Sequence, residues 1–189
     1  MSAGGSRPVI REATSADAPA IASVHVASWR ATYPGIVPQQ VLETLSIERR
    51  EAYWRETAAH PGDQPVWVAE WDGRVVGFAS GGPCRDDDLP PGTGEVYAIY
   101  LEPEAWDLGI GRALFEHAVA DLRERAFEPL VLWVLTDNRR GRAFYERQGW
   151  RPDGAARQLD FDGTQIEERR YAGPPSAAQG DSDGDRTTE

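Results

Sequence analysis

Two segments carry residue types whose order suggests chemistry. In Trp106-Asp107-Leu108-Gly109-Ile110-Gly111-Arg112, a strand-like run has just ended and a Gly-x-Gly pair opens an amphipathic helical pattern. The first N–H groups of a helix have no partner within it, and the positive end of the helix dipole adds to them. Glycines at such a start let a phosphate or pyrophosphate approach the backbone closely. The third glycine and the downstream acidic ribose ligand of a dinucleotide fingerprint are missing. The second segment runs from Asn138 through Arg142-Ala-Phe144-Tyr145-Glu-Arg-Gln-Gly149-Trp150. Asn138 either caps the helix that follows or offers its amide to peptide-like groups of a ligand, and capping is the commoner role. Tyr145 either packs beside Phe144 or turns its phenol into a cleft.

Composition removes several competing chemistries. The 189 residues include no Lys, so all 20 basic residues are Arg, and a Schiff-base, P-loop or general-base lysine is excluded. Cys84 is alone, and the three histidines form no His-Glu-x-x-His pattern, so no metal site is expected. No Ser occupies a Gly-x-Ser-x-Gly elbow, the nearest approach being Gly77-Phe-Ala-Ser80-Gly. A formal charge of -11 argues against nucleic acid or an anionic membrane as partner and is compatible with a cationic small molecule. No apolar run reaches the ~20 residues of a membrane span, and the beginning of the chain lacks an apolar signal core, so a cytoplasmic location is expected.

The elements that must position these residues form a mixed α/β order. A short strand at Val9–Glu12 precedes a helix capped by Thr14 or Ser15, and helical pattern resumes with Val41, Leu42, Leu45, Tyr53 and Trp54. Val66–Trp71 and residues 74–79 flank Asp72-Gly73, a strong two-residue hairpin turn. A loop is expected over 81–94, then a strand over 95–101, then the helix opened by Gly109. Leu130–Leu135 reads as a strand buried on both faces. A short helix after Asn138 stops at Gly149, and Asp162-Gly163 turns a last hairpin over 157–161 and 164–171. Residues 1–7 read as a flexible leader, 8–173 as one domain and 174–189 as a disordered acidic tail.

Together these pieces resemble the GNAT N-acetyltransferase superfamily over about residues 9–171. That family's cofactor motif, Gln/Arg-x-x-Gly-x-Gly/Ala, is met at Trp106 through Gly111, and its Asn-x-x-Ala-x-x-Phe-Tyr-x-x-x-Gly-Phe stretch at Asn138 through Trp150. Trp106 stands at the Gln/Arg position, Asp107 where Gly is common, Gly141 for Ala and Trp150 for Phe. Asp107 is unhelpful beside a pyrophosphate if it points inward, and a helix-capping role is the alternative.

The resemblance implies a mostly antiparallel sheet flanked by helices, with a V-shaped splay between the fourth and fifth strands that holds acetyl-CoA as co-substrate. Backbone groups of Ile99 and Leu101 would pair with the pantetheine, with the Ile99 N–H polarising the thioester. Amides from Asp107, Leu108, Gly109, Ile110, Gly111 and Arg112 would hold the pyrophosphate, with Asn138 on the pantetheine arm. Tyr145 matches the family's general acid, and Glu95 the general base of several relatives, with Tyr97 on its face. Trp29, Tyr33 and the loop bearing Asp86-Asp87-Asp88 would border the amine acceptor, a small and cationic molecule on this reading. A protein amine as acceptor and a non-catalytic acyl-CoA-binding module are the alternatives, and a homodimer is compatible with the family.

Overall fold

The computed structural model describes residues 7–176; most of the expected leader and the tail beyond 176 lie outside the described residues. The strands are β1 (Val9–Glu12), β2 (Val66–Trp71), β3 (Arg74–Pro83), β4 (Gly94–Leu101), β5 (Leu130–Leu135), β6 (Arg151–Phe161) and β7 (Thr164–Ala172). The helices are α1 (Ala18–Thr32), α2 (Gln39–Glu43), α3 (Ile47–Ala59), α4 (Ile110–Glu124) and α5 (Arg139–Arg147). All seven strands join one sheet in the order β1-β2-β3-β4-β5-β7-β6. Every neighbouring pair is antiparallel except β4–β5.

That parallel pair is short. Gly94, Glu95 and Val96 register with Leu130, Val131 and Leu132, and beyond them the two strands diverge. A register shift in the β3–β4 ladder sets Ser80 against Ala98 and Gly81 against Val96, leaving Tyr97 as the extra residue of a bulge. The bulge lets Val96, Ile99 and Leu101 join the core on the α4 side, while Ala98 and Tyr100 pack on the α1–α3 side. Against the α4 side lie Ile110, Leu114, Phe115, Ala118 and Leu122, which recur at helical spacing and are all buried. The other side is closed by Ile21, Val24 and Trp54 over Val66, Val68 and Phe78. A third cluster, Tyr33, Val37, Leu42, Leu135 and Ile166, ties the α1–α2 connection to β5 and β7.

Three boundaries differ from the sequence expectation. Asp17 accepts a hydrogen bond from the Thr14 amide and closes a 3-10 turn over Ser15–Asp17, so α1 begins at Ala18 with Pro19 in its first turn. Strand β3 continues through Gly81 and Gly82 to Pro83 where a loop was expected. A Cβ on Gly81 would lie 2.9 Å from the Glu95 carbonyl oxygen and 3.0 Å from Leu122, so glycine is there for close packing and not for a turn. Strand β6 begins at Arg151, right after α5, with an irregularity between Pro152 and Ala156.

Candidate active site

A cleft of about 790 Å³ occupies the splay, within the range of ligand-binding clefts (about 300–1,000 Å³). It is lined from end to end by the expected residues Trp29, Tyr33, Glu95, Tyr97, Ile99, Leu101, Asp107, Gly109, Gly111, Arg112, Asn138 and Tyr145. Leu108 is half exposed and Ile110 is buried in the core, so neither side chain borders the cleft.

At one end the backbone is the reactive surface. Glu102 donates its amide to the Val76 carbonyl, which fixes the phase of the antiparallel β3–β4 ladder. Hydrogen-bonded and non-bonded pairs alternate, so Tyr100 bonds to Phe78 while Ile99 and Leu101 turn their N–H and C=O groups away from β3. That edge faces the gap, because β5 pairs with β4 only at Gly94–Val96.

The start of α4 supplies the second backbone surface. Gly109 is its N-cap residue, left-handed at φ 80°, and the first helical bond runs from the Ala113 amide to the Gly109 carbonyl. The amides of Ile110, Gly111 and Arg112 therefore have no partner in the helix and converge on an anion-binding position. Asp107 does not cap the helix; it lies two residues upstream at φ 61°, with its side chain exposed. Its carboxylate is instead paired with Arg140, whose guanidinium also covers the Trp106 ring at 4.4 Å. Trp106 donates its indole N–H to the Leu101 carbonyl oxygen at 3.2 Å. Two further arginines near this end have partners of their own, Arg142 in Tyr171 and the Thr136 carbonyl, and Arg112 in Glu116.

Asn138 and Tyr145 stand at the middle of the cleft. The Asn138 side-chain oxygen accepts from the Gly141 amide at 2.9 Å, so the residue caps α5. A Cβ on Gly141 would fall 2.7 Å from the Asn138 amide nitrogen, so a larger residue there would require the Asn138 side chain to shift. Tyr145 packs its ring on Phe115 and Phe144, the first of the two sequence alternatives, and is also among the residues that line the cleft. Burial, and secondarily the Tyr100 phenol, push the Tyr145 hydroxyl well above its ordinary range, so it stays protonated at neutral pH. Burial does the same to Tyr33, with Tyr100 and Tyr145 adding to it and the Asn138 amide opposing it.

The far end is polar and was largely unforeseen. Glu95 is buried, and its carboxylate accepts from the Arg85 amide and guanidinium, with the shortest contact at 2.5 Å. The same guanidinium lies 4.2 Å over the Tyr97 ring, so Glu95 and Tyr97 do share a face, and burial raises the Tyr97 phenol to about 12. Opposite them, Glu168 of β7 pairs with Arg157 of β6, which stacks 4.0 Å over Trp133. Burial raises the Glu168 carboxyl above its ordinary value, opposed by Arg157 and reinforced by the charge of Glu95. Asp86 accepts from the Trp133 indole, Arg157 and Arg170, and Asp88 takes both terminal nitrogens of Arg170. The aspartate run is thus largely consumed in pinning the β3–β4 loop to β5–β7 and does not offer the cation a free patch. Arg85, Arg157, Glu168 and Tyr100 escaped the sequence reading; Trp133, an indole within an otherwise aliphatic strand, was the one visible signal.

A sheet splayed between two parallel strands, beside a glycine-led helix start, defines an acyl-CoA-type acyltransferase fold. Residues 25–150 match the model of the acetyltransferase (GNAT) family, and the chain belongs to that family as an N-acetyltransferase. Among its relatives is an uncharacterized N-acetyltransferase, YuaI of Bacillus subtilis, 38% identical over 68% of this chain and 72% of that one. The solved ribosomal-protein-alanine N-acetyltransferase of Brucella melitensis is 28% identical with a TM-score of 0.68, covering 87% of this chain and 98% of that one. The PaiA N-acetyltransferase of Thermoplasma acidophilum, solved in complex with coenzyme A, has a TM-score of 0.67 at 21% identity over the same shares. Among the described residues no helix is long and apolar enough to cross a membrane.

Proposed function

We propose that this chain transfers the acetyl group of acetyl-CoA to a primary amine of a small molecule by direct attack within a ternary complex. One observation carries the reading. A single cleft joins the unpartnered amides at the α4 start and the exposed edge of β4 to a polar chamber, with Tyr145 at the junction. The pyrophosphate of the co-substrate sits on the amides of residues 107–112, and the pantetheine runs along Ile99 and Leu101 as an added strand, within reach of the Asn138 amide.

The Ile99 N–H donates to the thioester oxygen and stabilises the negative charge that develops there. The neutral amine attacks the carbonyl carbon, the C–S bond breaks, the departing thiolate takes the proton of the Tyr145 phenol, and the proton that the nitrogen sheds as the amide forms restores that phenol. A phenol with a raised pKa holds that proton until the thiolate forms. The proton lost by the incoming ammonium leaves by way of water toward Glu95, whose carboxylate is held in place by Arg85.

The test is a calorimetric titration with acetyl-CoA and with CoA, followed by thiol-release assays on small amines and on a peptide with a free N-terminus. Micromolar binding at one site per chain with turnover of small amines supports the reading. Binding with turnover only of the peptide moves the acceptor to protein, and absence of binding by folded, CoA-free protein overturns the proposal.

A further inference from the structure

We infer that the acceptor carries an anionic oxyacid group, a carboxylate or a phosphate, beside the amine that is acetylated, and that Arg85 and Arg157 bind it. The inference rests on the acetyltransferase reading above and specifies the acceptor that this reading leaves open. The decisive observation is an asymmetry of exposure at the chamber. The Glu95 and Glu168 carboxylates have side-chain exposures of only 2% and 9%, whereas their partners Arg85 and Arg157 show 59% and 39%. A ligand entering the chamber therefore meets guanidinium groups, with the carboxylates behind them.

Both guanidiniums are fixed in place from below and from the side. Arg85 is clamped to Glu95 through Nε and Nη2 and lies on the Tyr97 ring. Arg157 is clamped to Glu168 through Nε and to Asp86 through Nη1, and lies on the Trp133 ring. Among the described residues Arg85 Nη1 and Arg157 Nη2 make no hydrogen bond, and both side chains line the cleft. The charge of Arg85 is also felt at Glu168, so the two pairs belong to one chamber. Planar donors held rigidly by a buried carboxylate and an aromatic platform suit the recognition of an oxyacid, because little side-chain entropy is lost on binding.

The overall negative charge does not contradict this. It attracts the ammonium end of a zwitterionic acceptor over distance, while the two guanidiniums fix the other end at contact range. A diamine would place its second cation against Arg85 and Arg157, a repulsive arrangement that selects against it.

The test compares amines that differ only in the second group. Tyrosine is set against tyramine and tyrosinamide, O-phosphoethanolamine against ethanolamine, and putrescine serves as the dication. Thiol release gives kcat/KM, and tryptophan fluorescence of the CoA-saturated protein titrated with N-acetyltyrosine and N-acetyltyrosinamide gives binding without turnover. The expected result is a preference on the order of tenfold or more for the carboxylate or the phosphate member of a pair. Which pair shows it distinguishes the two sources. The preference should vanish in the rates and the titrations of the double variant Arg157→Gln/Glu168→Gln. It should vanish too in the N-acetyltyrosine against N-acetyltyrosinamide titrations of Arg85→Gln/Glu95→Gln, whose rates are not compared because Glu95 lies on the proton path. Each double variant removes both charges of one pair and leaves no buried carboxylate alone. Acetyl-CoA affinity and melting temperature are followed in each variant. If neither the rates nor the titrations favour the anionic member, or if putrescine is preferred, the inference is overturned while the acetyltransferase reading stands. Loss of acetyl-CoA binding by the unmodified protein would instead strike that reading itself.

Discussion

The Arg140 guanidinium nitrogen Nη2 lies 3.0 Å from each carboxylate oxygen of Asp107, at the rim of the anion-binding start of α4. On the proposed reading the pair places a negative charge beside the pyrophosphate position and engages a neighbouring cation with it. Binding of a phosphate would draw Arg140 away from Asp107, so the carboxylate competes with the ligand. Asp107→Asn is therefore expected to tighten acetyl-CoA binding. The gain should be small, about two- to fivefold, because the Asp107 side chain is 81% exposed and screened by salt. Arg140→Ala should weaken binding. Calorimetric dissociation constants at low and at 0.5 M salt check both, and unchanged affinity in Asp107→Asn would show that the pair is electrostatically neutral toward the ligand.

Tyr145 packs its ring on Phe115 and is part of the cleft lining, so Tyr145→Phe removes one hydroxyl without disturbing the packing. Turnover is expected to fall by about a hundredfold or more, the usual contribution of a positioned general acid, while acetyl-CoA affinity stays within about twofold. Thiol-release kinetics and a parallel binding titration separate the two effects. A fall in affinity matching the fall in rate would make Tyr145 a binding residue.

The parts of the molecule legible in the sequence are those encoded over short range. The ends of β5, the Asp72-Gly73 turn and the Gly109 helix start each follow from a few adjacent residues. The chamber was hidden because its partners lie far apart in the chain. Arg157 reaches Asp86 across 71 positions and Arg170 reaches Asp88 across 82. Spacing alone made Asp86-Asp87-Asp88 an open acidic loop, and only the β6–β7 hairpin folding back over β5 brings the arginines that neutralise it. Glu95 illustrates the same limit: its place at the head of β4 was readable, its pairing with Arg85 on the preceding β3–β4 loop was not.

Gly109 is the position where backbone conformation and ligand binding coincide. A Cβ there would meet nothing within 4 Å, so Gly109→Ala brings no clash, only the strain of a left-handed alanine. That strain costs about 1 kcal/mol and should lower the melting temperature by roughly 2–4 °C. Relief of the strain would turn the first amides of α4, so acetyl-CoA affinity should drop as well. A melting curve and a titration on the same sample test the pair of effects, and a stable variant with unaltered affinity would detach Gly109 from pyrophosphate binding.

His25 gives the fold a predictable acid response. Its imidazole is buried among Trp29, Trp54, Phe78 and Tyr100, and Nδ1 accepts from the Trp54 indole. Burial, aided by the charge of Arg50, lowers its pKa to about 3 from an ordinary 6.5. Below pH 6.5 the unfolded chain binds a proton that the native state refuses, so stability is full above that value and is lost as pH falls toward 3. The slope from this one group is at most about 1.4 kcal/mol per pH unit. Asp17, lowered to about 2 by Arg11, loses its contribution only below its ordinary 3.8, a separate and more acid window. Glu168, raised by burial, acts in the opposite direction, but it is common to both proteins when His25 is replaced. His25→Gln keeps an acceptor for Trp54 and removes the titration. The difference in stability between the two proteins, measured by urea unfolding from pH 4 to 7, should therefore shrink as pH falls, whatever its size at pH 7. Parallel curves would mean that His25 is protonated in the native state and that the aromatic box does not exclude its charge.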